Sequence, residues 1–321
     1  MNILFVSSGN KKSEISPIVF KQGESIRKLK YNLDYFSIKG KGIKGYILNL
    51  FPLRKKLINN KYDVIHVHYG LSTIVVYLTQ CFRIKKIPIV VSLMGSDVLS
   101  NDKKSTTIRI INSFAFWIIK NKSSHIIVKS EEMFNKINIP FKTTIIPNGV
   151  DFKLFKPLDK KKLQDELGWN KNIKHILFAA DPYRKVKNYE LAKKSVLKIT
   201  NFDIEIHHLI NEPHNNIVKL MNASDIVILS SLFEGSPNVI KEAMACNKPI
   251  VSTNVGDVSS IISNTIGCFI ADSSIDDFSS KIEFTLKNHF VTKGRDQINY
   301  LKEEKIAEKI IEIYKKVLNE N

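Results

Sequence analysis

The sequence predicts an α/β protein of two domains, each built on a doubly wound parallel sheet. Short runs rich in Ile and Val alternate with longer amphipathic or apolar segments, which is the pattern of a sheet covered by helices on both faces. The chain has 321 residues, and because domains of about 150 residues are the default, two are expected. A hydrophobic content of 43% is ordinary for a chain that buries a full core.

Six short apolar runs predict the strands of the first domain. They are Ile3–Ser7, Asp34–Ile38, Val64–Val67, Ile89–Ser92, His125–Val128 and Thr144–Ile146. Helices are expected between them, for example over Leu71–Phe82 and Thr107–Lys120. Gly9 follows the first strand, where folds of this class bind ligands. The loop is not G-x-G-x-x-G, so a nicotinamide cofactor is not favoured, and an ordinary βα turn is equally compatible with Gly9.

The second half of the chain continues the alternation. Asp159–Leu167 predicts a short amphipathic helix that Gly168 ends. The later elements expected are a strand over His175–Ala179, a helix over Tyr189–Ile199, a strand that includes His207 and a last strand over Gly267–Ile270. From Gln297 onward, apolar residues recur at helical spacing among charged ones, which predicts a long amphipathic helix.

The stretch Ser224–Asp257 is the segment in which a binding site is expected. Ile226–Leu229 is a short apolar run that suits a buried parallel strand. Ser236 and Pro237 then predict a helix start, since Ser is a good N-cap and Pro is favoured at the first helical position. Another strand is expected over Pro249–Ser252.

Two carboxylates flank this helix start, Glu234 before it and Glu242 inside it, with seven residues between them. At 1.5 Å per helical residue, Glu242 lies about 9 Å beyond the cap, roughly the span from a sugar ring to a ribose across a diphosphate. Free N–H groups at the helix start would face the phosphates, although Pro237 has none. Solvated charge that complements the helix dipole is the alternative for such a short motif.

The run EGSPNVIKEAMA, followed by KPIVST and VGD, resembles the donor-binding segment of retaining glycosyltransferases of family 4, the GT-B type also called glycosyl transferases group 1. The resemblance implies that Glu234 holds the transferred sugar and Glu242 the nucleotide ribose. It also implies that the donor contacts the helix start at Ser236, Pro237, Asn238 and Val239.

Thr143–Pro157, TTIIPNGVDFKLFKP, resembles the hinge of the same family. The resemblance implies a GT-B fold, with two Rossmann-like domains that face a cleft. The expected division is an acceptor-side domain over residues 1–156 and a donor-binding domain over 157–304. The last helix, about 305–321, is expected to cross back to the first domain.

The resemblance assigns further donor residues. Ala180–Asn188, ADPYRKVKN, is similar to a family segment in which Arg and Lys bind the donor phosphates, which implies Arg184 and Lys187 here. Arg offers a planar fork and Lys a point charge, both suited to a diphosphate, and a solvated basic loop is the alternative. Pro213 would lie near the nucleotide base, and Gly9 would let the chain approach the diphosphate.

Asp63–Gly70 and Ile87–Val98 resemble two first-domain segments of the family. His66 and His68 share one face of a strand. His68 is at its carboxyl end, where such sheets place their sites, whereas His66 is expected to be a core histidine. In the family a histidine usually follows the next strand, and in this sequence that position is Met94. Gly95 and Asp97 match the family pattern and are expected on the acceptor side. Met94 is expected to pack against the acceptor, and His68 is the nearest polar substitute.

The expected reaction moves a hexose or similar sugar from a nucleotide diphosphate to an acceptor hydroxyl, with retention. No Asp-x-Asp pair suited to Mg²⁺ or Mn²⁺ occurs, so no metal or other cofactor is expected, and Arg184 and Lys187 would stabilise the leaving diphosphate. A nucleotide-sugar epimerase of the GT-B type stays open. The net charge of +18 suggests nucleic-acid binding as another alternative, but no nucleic-acid-binding motif in the sequence supports it.

Charge and apolar residues suggest where the protein works. Residues 1–156 carry 26 basic and 9 acidic residues, a net charge of +17, whereas the remainder carries 23 and 22, a net charge of +1. Basic clusters at Lys39–Lys44, Arg54–Lys56, Arg83–Lys86 and Lys103–Arg109 accompany Phe114, Phe116 and Trp117. This combination suits an anionic membrane surface, and a Rossmann core helix is the alternative for the aromatic residues.

No signal peptide or membrane-spanning run is recognised in the sequence. Cys81, Cys246 and Cys268 are widely spaced and are expected to be reduced thiols. The expectation is therefore a cytoplasmic enzyme, peripheral on the inner membrane face, that extends a glycan or lipid-linked acceptor of surface polysaccharide or glycolipid.

Overall fold

The computed structural model describes residues 1–9, 15–40, 42–81, 83–99 and 106–320. The chain divides into two compact units. Unit 1 comprises Met1–Gly149 and Glu303–Asn321, and unit 2 comprises Val150–Lys302. The expected boundary after residue 156 lies a few residues inside unit 2, because Arg295 binds the carbonyl oxygens of Phe152 and Phe155 there.

The described residues of unit 1 form a parallel sheet of six strands in the order β2-β1-β3-β4-β5-β6. Its strands are β1 (Asn2–Ser8), β2 (Asn32–Ile38), β3 (Val64–His68), β4 (Ile89–Ser92), β5 (His125–Val128) and β6 (Thr143–Ile145). Strands β3, β4 and β5 are buried along their whole length. Burial on both faces explains why they are apolar runs without the alternation of a half-exposed strand.

Helices cover the sheet of unit 1. They are α1 (Pro17–Lys28), α2 (Gly42–Leu48), α3 (Leu50–Asn59), α4 (Ser72–Gln80), α5 (Ser96–Leu99), α6 (Thr106–Lys122) and α7 (Glu131–Ile137). Helix α7 follows the rules of capping, since the Ser130 side chain accepts the N–H of Met133 and Asn138 ends the helix in the left-handed conformation.

The described residues of unit 2 form a parallel sheet of five strands in the order β11-β10-β9-β7-β8. Its strands are β7 (Lys174–Phe178), β8 (Ile204–His208), β9 (Ile226–Leu229), β10 (Ile250–Thr253) and β11 (Cys268–Ala271). Its helices are α8 (Lys160–Leu167), α9 (Tyr189–Leu197), α10 (His214–Ala223), α11 (Asn238–Ala245), α12 (Val258–Ile262), α13 (Ile275–Asn288) and α14 (Gly294–Gln297). One face of the sheet packs on α9 and α13 through a cluster that includes Phe178, Ile228 and Phe278.

The predicted helix from Gln297 onward is divided in two. Helix α14 ends at Gln297, a 3₁₀ turn spans Asn299–Leu301, and α15 (Glu303–Asn319) follows. The N–H of Val150 donates to Leu301 O, and Lys302 forms a parallel bridge with Val150. Because these contacts hold Lys302 extended, the helix cannot run through this point.

Helix α15 belongs to unit 1 and packs against α1. Its apolar stripe is buried, and the Tyr314 hydroxyl reaches Nδ1 of His66 in β3. Gly149 permits the close approach, since a Cβ atom there would lie 2.7 Å from the Cα atom of Glu303. The C-terminal segment therefore completes the core of the unit that the N-terminal segment begins.

Candidate active site

The loops after β7 and β9 bring together Lys187 and Glu234. Both strands are parallel neighbours, so their carboxyl ends lie at one edge of the sheet. The ammonium of Lys187 forms an ion pair with Oε1 of Glu234, and the Ser231 hydroxyl donates to the same oxygen at 2.8 Å. Side-chain exposure is 11% for Lys187 and 17% for Glu234, so the pair is well shielded from water.

Backbone contacts fix these two loops to each other. The Ser230 hydroxyl contacts the carbonyl oxygens of Lys187 and Asn188, at 3.0 and 2.9 Å. The N–H of Leu232 donates to Val186 O at 2.9 Å. Asn188 adopts the left-handed conformation that turns the chain into α9. The charged pair is thus held by rigid backbone rather than by its own attraction alone.

Helix α11 begins one residue later than predicted. Its first residue is Asn238, Pro237 is in the N-cap position, and Ser236 does not cap the helix. The Ser236 hydroxyl instead lies 2.5 Å from Oδ2 of Asp257 and 2.5 Å from Nζ of Lys241. Asn238 and Val239 are partly exposed at the helix start, and Glu242 follows as the fifth helical residue.

Lys241 and Asp257 are site residues to which the sequence assigned no role. Lys241 is fully buried, and burial lowers its pKa against the attraction of the Asp257 carboxylate. Burial likewise raises the pKa of Asp257, opposed by Lys241 and by the Ser236 hydroxyl. The VGD run was part of the sequence pattern, but only the folded chain places Asp257 against the loop that follows Glu234. This buried network positions the start of α11.

Gly256 lies against the same loop. It has a φ of +58°, and a Cβ atom there would lie 2.8 Å from Gly235 O and 3.0 Å from Glu234 O. A side chain at this position would therefore displace the backbone that carries Glu234.

Arg184 and Pro213 lie at the same edge of the sheet. Arg184 is exposed, and no side-chain hydrogen bond or ion pair is seen for it within the described ranges; its carbonyl accepts the N–H of Lys187. Pro213 is the N-cap of α10, after the carboxyl end of β8. Arg184 is thus on the loop after β7, which neighbours β9, whereas Pro213 is on the loop after β8, one strand further from the loop that carries Glu234.

The candidate acceptor-side residues lie in unit 1. Oxygens of Asp97 accept the N–H groups of Gly70 at 3.1 Å, Met94 at 3.0 Å and Gly95 at 3.0 Å. Burial raises the pKa of Asp97, and these backbone donors oppose the rise. Asp97 therefore ties the loops after β3 and β4 together. Gly95 supplies a left-handed turn, at φ +117°, and Met94 is half-buried.

His66 and His68 differ in their partners. His66 is bonded to Tyr314 and, at 2.7 Å, to Ser92, so it is a satisfied core histidine as expected. His68 is fully buried, stacks on His66 and packs against Phe5 with the two rings tilted, and neither of its ring nitrogens has a hydrogen-bond partner among the residues described. Burial lowers the pKa of His68 well below its usual range, with Lys129 contributing. Gly9 donates to Ile38 O, and residues 10–14 after it lie outside the described chain.

An apolar groove of about 330 Å³ lies among α2, α4 and α6 of unit 1. Its lining residues are Gly42, Ile43, Tyr46, Ile47, Leu50, Leu71, Ile74, Val75, Leu78, Ile108, Ile111, Asn112 and Phe114. Phe114 is 40% exposed and Trp117 is 47% exposed, so the alternative that these two are core residues is wrong. Across the described ranges, no helix combines the length and apolarity needed to cross a membrane.

Comparison with known protein families gives two matches. A model described as "Glycosyltransferase Family 4" matches residues 25–154, and one described as "Glycosyl transferases group 1" matches residues 166–305. The first of these ranges lies almost wholly in unit 1 and the second almost wholly in unit 2.

Two curated proteins illustrate the similarity in sequence. An Escherichia coli protein named UDP-Gal:alpha-D-GlcNAc-diphosphoundecaprenol alpha-1,3-galactosyltransferase is 24% identical over 264 residues, which are 72% of this chain and 68% of that protein. N-acetyl-alpha-D-glucosaminyl L-malate synthase of Bacillus anthracis is 27% identical over 231 residues, 62% of this chain and 58% of that protein.

Solved structures confirm the fold class. Sucrose-phosphate synthase from Thermosynechococcus elongatus superposes with a TM-score of 0.83 at 14% identity, and all of both chains is covered. Anabaena HepE in complex with UDP and glucose superposes with a TM-score of 0.74 at 17% identity, covering 97% of this chain and 98% of that one. The predicted GT-B class, with two Rossmann-like units, is thereby confirmed.

Proposed function

Since the chain belongs to glycosyltransferase family 4, with its second half matched by the model of glycosyl transferases group 1, we propose that it transfers a sugar, with retention, from a nucleotide diphosphate sugar to an acceptor hydroxyl. The observation that carries this proposal is the shielded Lys187–Glu234 pair beside the start of α11, with Glu242 inside that helix. A UDP-sugar is the first donor to test, because HepE was crystallised with UDP and the E. coli relative is named for UDP-Gal.

Each residue of the candidate donor site has a distinct role in this mechanism. Negative charge grows on the leaving diphosphate, and a preorganised cation aimed at that charge accelerates transfer. Lys187 supplies a shielded cation and Arg184 an exposed one, while N–H groups at the start of α11 would face the phosphates. Glu234 holds the sugar, Glu242 holds the ribose, and a donor phosphate oxygen takes the acceptor's proton.

Metal independence follows from the same assignment. Two cationic side chains serve the diphosphate, and no Asp-x-Asp pair occurs in the sequence. Turnover is therefore expected to persist in excess EDTA, whereas Lys187→Ala should lower the rate by about 10²-fold or more, the scale for loss of one preorganised charge partner. Strong EDTA inhibition that Mn²⁺ reverses would count against this assignment.

We propose that the acceptor is lipid-linked and that its hydrocarbon chain occupies the apolar groove of unit 1. The groove lining is almost wholly apolar, and the E. coli relative is named for a diphosphoundecaprenol acceptor. Basic residues on the flanking helices suit the anionic headgroup or diphosphate of such a lipid. Those exposed are Lys44, Arg54, Lys55, Arg109, Lys120 and Lys122.

The same surface supports peripheral attachment to an anionic membrane. Exposed apolar side chains on α2, α3 and α6 lie among the basic ones; they are Ile43, Ile47, Leu48, Phe51, Ile58, Ile108, Ile110, Phe114 and Trp117. Each Lys or Arg near an anionic surface contributes about 1 kcal/mol, so four or five together suffice for reversible attachment. Such an enzyme would extend a surface polysaccharide or glycolipid at the inner membrane face.

Product analysis tests the reaction. The full chain is incubated with UDP-sugars, with and without polyprenyl diphosphate glycans, and released UDP and glycosylated lipid are quantified. We expect UDP release that depends on the acceptor, and an α-linked product from an α-linked donor. Release of UDP from the donor, or epimerisation of the donor's sugar, in the absence of acceptor would instead favour a nucleotide-sugar epimerase of the GT-B type.

A further inference from the structure

Three side chains on one face of the sheet in unit 2 form a cluster outside the candidate donor site. Glu205 and His207 are two residues apart in β8, so they point to the same face. His175 is the register partner of Glu205 in the neighbouring strand β7. Because His175 and Glu205 are each the second residue of their strand, they lie toward the edge opposite the loops that carry Lys187 and Glu234.

The distances within the cluster fit a tetrahedral metal ion. Nδ1 of His175 lies 3.0 Å from Nε2 of His207 and 3.7 Å from Oε2 of Glu205, and Nε2 of His207 lies 4.0 Å from that oxygen. Bonds of about 2.0–2.1 Å in a tetrahedral zinc site separate the ligand atoms by about 3.3–3.4 Å. The three separations bracket this value, so small side-chain rotations would complete the site.

The other ring nitrogen of His175, Nε2, makes the kind of hydrogen bond that metal-binding histidines make. Nε2 of His175 lies 2.9 Å from Asn170 O, and a carbonyl can only accept, so Nε2 carries the proton. The lone pair of Nδ1 therefore points into the cluster. A ligand histidine commonly donates its other N–H to a backbone carbonyl, which fixes the ring and its tautomer.

Packing holds the imidazoles and leaves an entrance. The Trp169 ring stacks on His207 with centroids 3.6 Å apart and on His175 at 4.6 Å. The Glu205 side chain is 52% exposed, which leaves a route from solvent.

We propose that His175, Glu205 and His207 bind one Zn²⁺ ion, with water in the fourth position. Imidazole and carboxylate ligands suit this cation, and Cu²⁺ and Ni²⁺ also bind imidazole. The ion would link edge strand β8 to β7. It would serve stability rather than transfer, so the site does not depend on the proposed reaction.

Calorimetry on the metal-stripped, tag-free full chain tests the site. We expect one Zn²⁺ per chain and a rise in melting temperature with Zn²⁺, since an ion that binds the folded state stabilises it. His207→Gln should weaken Zn²⁺ binding by about 100-fold or more, and Glu205→Gln should weaken it by about 10-fold. Loss of a residue that only hydrogen-bonds to a metal ligand lowers metal affinity by about 10- to 100-fold, so loss of a ligand itself should cost at least the lower of these values. His208→Gln is the matched control, because His208 is adjacent but on the other face of β8, and it should bind as the parent does.

Fluorescence provides a second readout. The chain has two tryptophans, so in a Trp117→Phe background Trp169 is the only source of tryptophan fluorescence. Cu²⁺ at the site should quench it, and His207→Gln should abolish the quenching while His208→Gln does not. Absence of one-to-one binding, or equal affinity in all variants, would overturn the proposal and leave a hydrogen-bonded histidine pair. If His207→Gln does not fold, Glu205→Gln decides, and unchanged affinity in that variant overturns the site.

Discussion

At the scale of single residues, the candidate donor site depends on a charged pair that is 47 positions apart in sequence. Lys187 and Glu234 are both poorly exposed, and removing one partner of a shielded pair leaves the other charge unpaired, which is strongly destabilising when the pair is fully buried. Glu242 is one turn into α11 and does not share this pair. Substitution of Glu234 and substitution of Glu242 should therefore have different effects, the first on turnover and the second on nucleotide binding.

Glu242→Ala is expected to weaken the binding of free UDP by about 10-fold or more, because a hydrogen bond to a charged group contributes about 1.5–3 kcal/mol. Glu234→Ala should lower turnover by about 10²-fold or more while free UDP binds nearly as before, since the sugar contact is lost and Lys187 still meets the phosphates. Isothermal titration with UDP and initial rates measure both. Glu190→Ala, at an exposed site in α9, is the control, and equal loss of UDP affinity in both variants would contradict the two roles.

At the scale of elements, the start of α11 is positioned by contacts from the segment after β10. Ser236 is bonded to both Lys241 and Asp257, and Gly256 lies against Gly235 and Glu234. The start of α11 and the preceding loop that carries Glu234 are thus fixed by contacts from a neighbouring loop. Changes in that loop should alter catalysis without touching a reacting group.

Gly256→Ala should reduce turnover by about 10-fold or more, because the added Cβ displaces the loop that carries Glu234. Gly168→Ala is the matched control: it has a similar φ, +68°, but no atom lies within 4 Å of its added Cβ. Left-handed strain costs about 1–2 kcal/mol at either position, so urea unfolding should show a loss of stability in both variants. Equal turnover in the two variants would refute the positioning role.

Helix α6 is the element with which the membrane hypothesis can be tested. Phe114 and Trp117 are stacked and exposed, and Lys122 lies over the Trp117 ring. Replacing both aromatic residues by Ser should reduce co-sedimentation with anionic vesicles at low salt. Leu197→Ser removes an exposed apolar side chain from α9 of unit 2 and should have no effect.

The charged part of the interaction has a separate readout. Binding should fall as salt rises, because screening weakens surface electrostatics, and as the anionic lipid is replaced by neutral lipid. If the parent protein does not bind anionic vesicles even at low salt, the membrane hypothesis is wrong and a soluble acceptor becomes the better hypothesis.

At the scale of the whole molecule, unit 1 encloses histidines that stay neutral. Burial lowers the pKa of His125 from 6.5 to about 4, and Lys316 and Lys142 add to the effect, while the Thr144 hydroxyl is 2.9 Å from its Nε2. The pKa values of His66 and His68 are lowered well below 6.5 in the same direction. Between about pH 6.5 and 4 the unfolded chain therefore binds more protons than the folded one, and stability is lost as the pH falls.

Urea unfolding of unit 1 should shift to lower denaturant as the pH is reduced from 7.5 to 4.5. His125→Gln should show a smaller shift over this window, because one group that protonates on unfolding is gone. Trp117 fluorescence in a Trp169→Phe background follows unit 1. His289→Gln, at an exposed position in unit 2, is the control, and an unchanged pH dependence in His125→Gln would contradict the prediction.

Local sequence determined much of this protein. Apolar run length predicted the buried strands, and the Asp159 cap and Gly168 end of α8 follow from side-chain and backbone chemistry within a few residues. The motifs around Glu234 and in the hinge predicted the family and the GT-B class, because those properties are encoded in contiguous segments.

Only the tertiary structure decided which distant groups meet. It joined Lys187 to Glu234, turned Ser236 from a helix cap into a partner of Lys241 and Asp257, and divided the C-terminal helix at Lys302. It also left Trp117 exposed and brought His175 to His207. A periodic pattern records which face of an element is buried, but it carries no information on the partner, which is set by strand order and by loops that meet at the edges of the sheets.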